Sequence, residues 1–322
     1  MEKQIADRVP GLAVGVSRRG HMVWFVGIGS ADVSLPTRPP DADTQFDIAG
    51  ITSTFVAVTV MALRDAGKLS LDDPVERRLP PSRHTDVTVR EALTHISGMQ
   101  PSVRQREPVR DAWDAPHSAP HSQPYVGMLA ELIARLDHED WYAAVRRRVL
   151  DPLGLRSTSL GRAAGLPQAG RYYVPPGTDV PGAEPTVDLF ASGPVGGFSS
   201  TARDLSTWGA FLADPTDEVL AADTVEEMCQ PNTTTAPDGS LTGGLGLRLV
   251  RHEGRVWVGH TGAFPGTRSG CFTHRESGTT GVVLMNQTAA TSPGIFAASL
   301  GSYVLEHDPP LPPVWRPAAP RS

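Results

Sequence analysis

The 322-residue sequence is poor in cysteine, in clustered basic residues and in long apolar runs. Its two cysteines, Cys229 and Cys271, are too few for a disulfide framework and show no metal-ligand spacing. No apolar run approaches the roughly 20 residues that a membrane-spanning helix needs. A net charge of −6 without a basic cluster argues against a nucleic-acid surface. We therefore expect a protein without a metal, a cofactor, a membrane or a nucleic-acid partner.

The N-terminus also lacks the pattern of a signal peptide. Met1–Val9 is charged, and Gly11–Val16 is too short and too rich in glycine for the apolar region of a leader. We therefore expect a cytoplasmic protein. The 39% hydrophobic and 20% charged residues are typical of a globular chain with a sizeable core.

The segment Thr44–Leu79 organises the rest of the chain. Ile51 and Phe55 begin an apolar stripe at helical spacing, which predicts an amphipathic helix. The helix is predicted to start near Ala49–Thr52, where backbone N–H groups without helical partners point outward. Gly67 stands where a left-handed C-terminal cap belongs.

Strand patterns lie near both ends of the chain, and helical patterns lie between them. Alternating apolar residues predict an N-terminal hairpin. Thr88–Glu91 has the form of a capping box, and Gly193–Leu205 is interpreted as a glycine-rich turn that enters a helix. The predicted strands are Gly11–Val16, His21–Gly27, Leu245–Val250, Arg255–Gly259, Ser269–His274 and Thr280–Asn286, and a last helix is predicted from Pro293 to Glu306.

This order of elements predicts an α/β fold of the α+β kind. It consists of an antiparallel β-sheet flanked by helices, with an inserted, mostly helical region. We expect residues 1–308 to form a single composite domain. Its sheet part covers about residues 1–48 and 240–308, and its helical part about residues 49–239. Residues 309–322 are a proline-rich tail.

The start of the central helix carries a recognisable motif, FDIAGITSTF over Phe46–Phe55. It resembles the F-x-I-A-S-x-x-K-T-F segment of the serine β-lactamase and penicillin-binding superfamily, in the branch of class C β-lactamases, D-aminopeptidases, esterases and transacylases. In that family the Ser is acylated and the Lys one turn later helps to remove its proton. The resemblance places Gly50 at the nucleophile and Ser53 at the lysine.

A second motif of the family is usually Y-S-N, whose Tyr shuttles protons. Counting back from the P-L-G-L segment at Pro152 places His121, Ser122 and Gln123 there. Tyr125 is a rival for the role of the Tyr. The resemblance therefore leaves two candidates for this proton carrier, His121 and Tyr125, with Ser122 and Gln123 as substrate contacts.

The third motif of the family is K-T-G, often H-T-G in this branch. The segment from His260 through Thr261 to Ala263 resembles it and is predicted on an edge strand beside the pocket. The resemblance implies an oxyanion hole made by the start of the helix at Gly50 and the N–H of Ala263. Loss of the Ser and Lys side chains is expected to widen the floor of the pocket.

Three functions are compatible with these motifs. The first is a repurposed enzyme of secondary metabolism. It would use His121 and His260 for acid–base chemistry (isomerisation, elimination, cyclisation or rearrangement) on a small carbonyl compound. The second is a pseudoenzyme that binds a small molecule or a protein partner. The third is a residual serine hydrolase, esterase or transacylase with Ser53 or Ser122 as nucleophile.

Overall fold

A computed structural model describes residues 9–35, 38–79, 87–96, 123–174, 180–184, 193–232, 241–288 and 293–307. The predicted site residues His121 and Ser122 lie outside these ranges. Gln123 lies inside them as the first residue of a helix, but its side chain is not described. Within the described residues, no helix combines the length and the apolarity needed to cross a membrane.

A seven-stranded antiparallel sheet is built from residues near both ends of the chain. Its strand order is β2-β1-β12-β11-β10-β9-β8. The predicted N-terminal hairpin is confirmed, and every pairing in the sheet is antiparallel, as predicted. The strands are β1 (Gly11–Arg18), β2 (His21–Gly29), β8 (Leu241–Gly243), β9 (Arg248–His252), β10 (Arg255–Phe264), β11 (Thr267–His274) and β12 (Thr279–Met285).

The predicted strand at Leu245–Val250 was placed too early, since β9 begins only at Arg248. Gly246 has a φ of +75°, in the left-handed region that interrupts a strand. Its N–H donates to the carbonyl of Leu93, 3.0 Å away. The chain therefore makes a turn between β8 and β9 that bonds to the helical region.

Helices cover both faces of the sheet and fill the region between its two halves. They are α1 (Thr52–Asp65), α2 (Val89–Ile96), α3 (Gln123–Asp137), α4 (Trp141–Val145, continued by a π-helical turn Arg146–Leu150), α5 (Gly193–Gly196), α6 (Ala202–Ala213), α7 (Ala222–Met228) and α8 (Pro293–His307). Helix α6 packs on one face of the sheet, and α8 packs on the other. The predicted last helix is confirmed.

Helix α1 runs through the centre of the larger core and is buried on all sides. Val56 and Val60 lie outside the predicted apolar stripe, yet they are as fully buried as Phe55, which lies within it. The ring of Phe55 lies 4.2 Å from that of Trp208 on α6. The helix is therefore a core helix, where the sequence predicted one apolar face. It ends as predicted, with Gly67 at a φ of +70°.

A second, three-stranded sheet leads into α1. It joins β3 (Phe46–Asp47), β7 (Phe198–Ser200) and β4 (Ser159–Leu160) in the order β3-β7-β4. The sequence interpretation of Gly193–Leu205 as a turn was therefore too simple. That segment forms the short helix α5, then strand β7, and then the start of α6. A two-stranded ribbon, β5 (Tyr172–Tyr173) with β6 (Gly182–Ala183), completes the described strands.

Candidate functional site

Gly50 lies in a 3₁₀ turn, Ala49–Ile51, directly before α1. The preceding residue, Ala49, is fully buried and has a φ of +45°, a region that non-glycine residues seldom adopt. Backbone strain of this kind is found preferentially at functional sites, where the surrounding structure maintains it. Helix α1 begins at Thr52, within the predicted range Ala49–Thr52.

Strand β10 lies directly against Gly50. A Cβ atom built at Gly50 would lie 2.8 Å from the carbonyl oxygen of Thr261 and 3.3 Å from Cε1 of His260. The structure therefore brings together three of the predicted site residues, from positions more than two hundred residues apart in the chain. The catalytic and binding roles of these residues stay predictions.

The predicted widening of the pocket at Gly50 is wrong. A distance of 2.8 Å is shorter than real Cβ contacts, so the Thr261 carbonyl would have to move to admit any side chain. The imidazole edge of His260 and this carbonyl occupy the space that a nucleophile's side chain would need.

Strand β10 is an interior strand, which corrects the prediction of an edge strand. It has β11 on one side and β9 on the other. The ladder with β9 ends at Gly259, which pairs with Arg248, whereas the ladder with β11 continues to Phe264. Among the described strands, the His260–Phe264 part of β10 therefore pairs with β11 alone, and its other edge faces the site.

Two hydroxyl groups of β11 hold the chain that leads into Gly50. Thr267 Oγ1 donates to the carbonyl of Asp47, and Ser269 Oγ donates to the carbonyl of Ile48, each at 2.7 Å. At Gly262 a Cβ atom would lie only 2.0 Å from the Ile48 carbonyl oxygen. Glycine at this position is therefore required by the close approach of two backbones.

Asp47 carries a buried charge cluster that the sequence analysis missed. Its carboxylate accepts from Ser199 Oγ at 2.7 Å, and it pairs with Arg162 at 2.9 Å and with Arg171 at 3.0 Å. No local pattern connects these four residues, which belong to distant parts of the chain. The cluster keeps β3 in position three residues before Gly50.

The hydroxyl of Ser53 points back into its own helix. Ser53 is 3% exposed, and its Oγ donates to the carbonyl oxygen of Gly50 at 2.7 Å. Hydrogen bonds of a helical serine to an earlier carbonyl are a common local arrangement. The proton of Ser53 is therefore already engaged with a backbone oxygen.

His260 is also largely buried, at 5% exposure. Its Nδ1 lies 2.6 Å from the carbonyl oxygen of Thr261. Because a carbonyl only accepts, this contact favours the tautomer with the proton on Nδ1. The imidazole is thereby oriented with its edge toward Gly50.

Thr261 faces the opposite side of β10, toward α8. Its Cγ2 would lie 2.7 Å from a Cβ built at Gly294, and its Oγ1 accepts from Arg248 Nη1 at 2.8 Å. Burial lowers the pKa of the Arg248 guanidinium. Arg248 was not a predicted site residue, and no motif distinguishes it in the sequence. The side chain of the next site residue, Ala263, is exposed.

Tyr125 lies on the first turn of α3 and packs against the larger core. Burial raises the pKa of its phenol, and the nearby carboxylate of Glu91 raises it further. The phenol is therefore protonated at neutral pH. The choice between Tyr125 and His121 as proton carrier stays a prediction. The described residues contain no group of three or more His, Cys, Asp or Glu side chains suited to a metal ion.

Comparison with known proteins identifies the family of this chain. The family model for beta-lactamase matches residues 1–301. The chain belongs to the beta-lactamase family. Its fold is accordingly that of the β-lactamases and penicillin-binding proteins, as the motifs predicted.

Individual relatives of this beta-lactamase family member are distant. "Beta-lactamase-like protein 2" of Dictyostelium discoideum is 24% identical over 278 residues, which cover 74% of this chain and 49% of the relative. "Esterase EstB" of Burkholderia gladioli is 30% identical over 202 residues, which cover 52% of this chain and 50% of the relative. The chain thus spans about half the length of each of these two relatives.

A solved structure agrees over nearly the whole chain. The octameric penicillin-binding protein homologue from Pyrococcus abyssi superimposes with a TM-score of 0.78 at 22% identity. The match covers 96% of this chain and 76% of that protein. At this identity the likeness supports the fold alone.

Proposed function

We propose that this beta-lactamase family protein binds a small carbonyl compound beside Gly50 and transforms it without forming an acyl-enzyme. The reaction is an isomerisation, elimination, cyclisation or rearrangement, with His260 as the acid–base group. The observation that carries the proposal is the position of His260, because Cε1 of its imidazole lies 3.3 Å from where a Cβ at Gly50 would be, at the start of α1.

The loss of covalent chemistry follows from the residues at the two motif positions. Gly50 has no side-chain atom that could be acylated. In a comparable serine hydrolase, loss of the nucleophile costs about six orders of magnitude in kcat. Ser53 in the lysine position supplies no base, and its hydroxyl bonds to the Gly50 carbonyl.

The remaining parts suit the binding of a carbonyl group. Backbone N–H groups at the start of α1 and the N–H of Ala263 would polarise its oxygen, because a helix N-terminus carries partial positive charge. The esterase relative, whose name indicates action on an ester carbonyl, supports this choice of substrate group.

Among the described residues, His260 is a titratable side chain next to Gly50. An imidazole titrates near neutral pH and therefore suits proton transfer to or from a carbonyl compound. The contact between its Nδ1 and the Thr261 carbonyl keeps the ring in one orientation. We therefore assign proton transfer to His260.

A fluorophosphonate probe, which labels serine nucleophiles, tests the absence of covalent chemistry. We expect no adduct on the wild-type protein by intact-mass spectrometry. A family member that has the intact Ser-x-x-Lys motif is the positive control for labelling by the probe. An adduct on the wild-type chain at Ser53 would contradict the proposal.

The role of His260 is tested on the pH dependence of turnover. Candidate enolisable ketones and esters are screened by NMR for conversion, and the pH–rate profile of the converted compound is recorded. The limb due to the imidazole should disappear in His260→Gln. A profile unchanged by this substitution would exclude His260 as the acid–base group.

Binding without turnover is a second candidate function. It is favoured by the 5% exposure of His260, which leaves little of the imidazole accessible. A binding protein of this kind would gain thermal stability with a ligand, by RT ln(1 + [L]/Kd), without forming a product. Turnover of any screened compound that depends on His260 would exclude it.

A residual hydrolase is the weakest candidate. It requires a nucleophile at Ser53 or Ser122. Ser53 is 3% exposed and donates its proton to a backbone carbonyl, with no base beside it among its described contacts. Incubation with an activated ester followed by peptide mapping tests both serines, and a stable adduct on either would establish this function instead.

A further inference from the structure

Three residues of β10 at alternate positions, His260, Gly262 and Phe264, lie on the same face of the strand. Successive side chains of a strand alternate between its faces. His260 faces Gly50, Gly262 faces the carbonyl of Ile48, and Phe264 lies on Gly196 of α5. The inner face of β10 therefore runs from an imidazole, across a glycine, to a phenyl ring.

The phenyl ring of Phe264 fills the space between β10 and α5. A Cβ atom built at Gly196 would lie 2.1 Å from Cε2 of Phe264, and 2.9 Å from its Cζ. The ring therefore rests directly on the backbone of α5. Phe264 itself is half-buried, so part of the residue stays exposed.

A second aromatic side chain packs on the other end of α5. A Cβ atom built at Gly193 would lie 3.0 Å from Cζ2 of Trp141. The indole of Trp141 is stacked on the ring of Phe198, with centroids 6.0 Å apart and an angle of 14°. Two glycines of a four-residue helix thus lie against two aromatic rings, those of Trp141 and Phe264.

Helix α5 also lies against the 3₁₀ turn that contains Gly50. Strand β7 begins two residues after Gly196 and is hydrogen-bonded to the segment that precedes the turn. The N–H of Ile48 donates to the carbonyl of Phe198 at 2.9 Å. Between His260 and Phe264 stands Gly262, so no side chain of β10 separates the imidazole from the phenyl ring on this face. A ligand group that extends from Gly50 along β10 toward α5 would therefore meet Phe264.

We propose that Phe264 determines the size of the ligand by blocking the space between β10 and α5, so that only carbonyl compounds with a short substituent on that side bind. This inference rests on the proposed function, since it concerns the same carbonyl site. Phe264 takes no part in proton transfer. It selects ligands through steric exclusion.

The experiment uses 4-nitroanilides with acetyl, butyryl, hexanoyl and octanoyl groups as carbonyl probes. Their binding to the full chain is measured by tryptophan fluorescence, with Trp141 as a nearby reporter, and by the shift in Tm. In the wild-type protein, affinity is expected to fall or stay constant as the acyl chain becomes longer than acetyl. In Phe264→Ala, it is expected to rise roughly fourfold for each methylene group that enters the opened space.

Three further variants complete the test. Gly196→Ala places a Cβ where the ring lies and should displace the ring away from α5, which is expected to weaken acetyl binding. Phe264→Leu retains apolar volume, guards against misfolding of the alanine variant, and should admit chains of intermediate length. Phe25→Ala, in β2, removes another half-buried phenylalanine and should leave the chain-length profile unchanged.

The possible failures are distinguishable. If wild type binds the acetyl anilide and both Phe264 variants show the same chain-length profile as wild type, the role of Phe264 is overturned and the proposed carbonyl site stands. If only the Phe264 variants bind, the size limit is supported and is stricter than acetyl. If no anilide binds any variant, the carbonyl site and the inference that rests on it both fail.

Discussion

Gly50 sits at the contact between the start of α1 and strand β10, and the space for a side chain there is already taken. The nearest atom to a Cβ at this position is a backbone carbonyl oxygen, which cannot rotate away as the end of a flexible side chain would. Overpacking of this kind costs typically about 1–3 kcal/mol.

Gly50→Ala is therefore expected to lower the free energy of unfolding by about 1–3 kcal/mol in urea titrations. Gly127→Ala is the matched control, because a Cβ at Gly127 in α3 meets no atom within 4 Å from the described residues beyond its own stretch of helix. It should stabilise the protein by up to about 1 kcal/mol, since alanine is the better helix former. Equal effects of the two substitutions would contradict the crowding at Gly50.

Ser53→Ala separates the structural role of this residue from a catalytic one. The substitution removes a hydrogen bond within the helix, and its expected cost is about 0.5–1.5 kcal/mol. It leaves no charge unpaired, so ligand binding and any turnover should stay within about twofold of wild type. A loss of turnover by several orders of magnitude, measured as kcat/KM, would instead identify Ser53 as a nucleophile.

Among the secondary-structure elements, the C-terminal end of α1 is tied to α3 and α4 by a cluster of charges. The carboxylate of Asp137, only 1% exposed, pairs with Lys68 at 2.7 Å and with Arg147 at 3.0 Å. Arg148 binds both of its oxygens. These contacts, with the hydrogen bonds of Arg148 as the largest cause, hold the pKa of Asp137 far below its usual range.

The depressed pKa predicts how the cluster responds to acid. Asp137 is ionised in the folded protein at pH values where the unfolded chain, with a pKa near 3.9, already binds a proton. Its contribution to stability is therefore complete above about pH 5 and declines as the pH falls. The difference in unfolding free energy between wild type and Asp137→Asn should shrink between pH 6 and pH 3 in urea titrations. A difference that stays constant over this range would refute the assignment.

At the scale of the whole molecule, both cysteines lie in the core that joins the sheet to the helical region. Cys229 is 7% exposed and Cys271 is 2% exposed. Burial raises the pKa of Cys229 to about 11 and that of Cys271 to about 12. The thiolate, which is the reactive form, is therefore rare in the folded protein even at pH 8.

Modification of both thiols should consequently require unfolding. At pH 8 we expect reaction with a disulfide reagent to be at least about 10³-fold slower in the native protein than in urea, in line with the equilibrium constants of folded domains. Rates for the two single variants, Cys229→Ser and Cys271→Ser, report each thiol separately. Fast labelling of one thiol in the native protein would show that its part of the core opens independently.

Features that depend on near neighbours in the chain were predictable from the sequence. The capping box is present, with the N–H of Thr88 donating to Glu91 Oε2 at 2.8 Å and the N–H of Glu91 donating to Thr88 Oγ1 at 3.2 Å. The left-handed Gly67 and the first hairpin formed as predicted for the same reason. Each of these depends on steric and hydrogen-bonding preferences within a few residues.

Features that need contacts between distant segments were not predictable in this way. The start of β9 was misplaced because the turn at Gly246 bonds to Leu93, about 150 residues earlier. The pairing of Asp47 with Arg162 and Arg171 likewise depends on loops that only the fold brings together. Sequence spacing carries no information about such contacts.

The sequence by itself determined the order of the elements, the local caps and turns, and the absence of a side chain at position 50. The tertiary structure alone decided that this position is filled by its neighbours, because His260 and the Thr261 carbonyl reach it from a strand about 210 residues away. It also placed Phe264 on Gly196. Local patterns set the conformation of a segment, whereas the space left for a ligand depends on how remote segments pack.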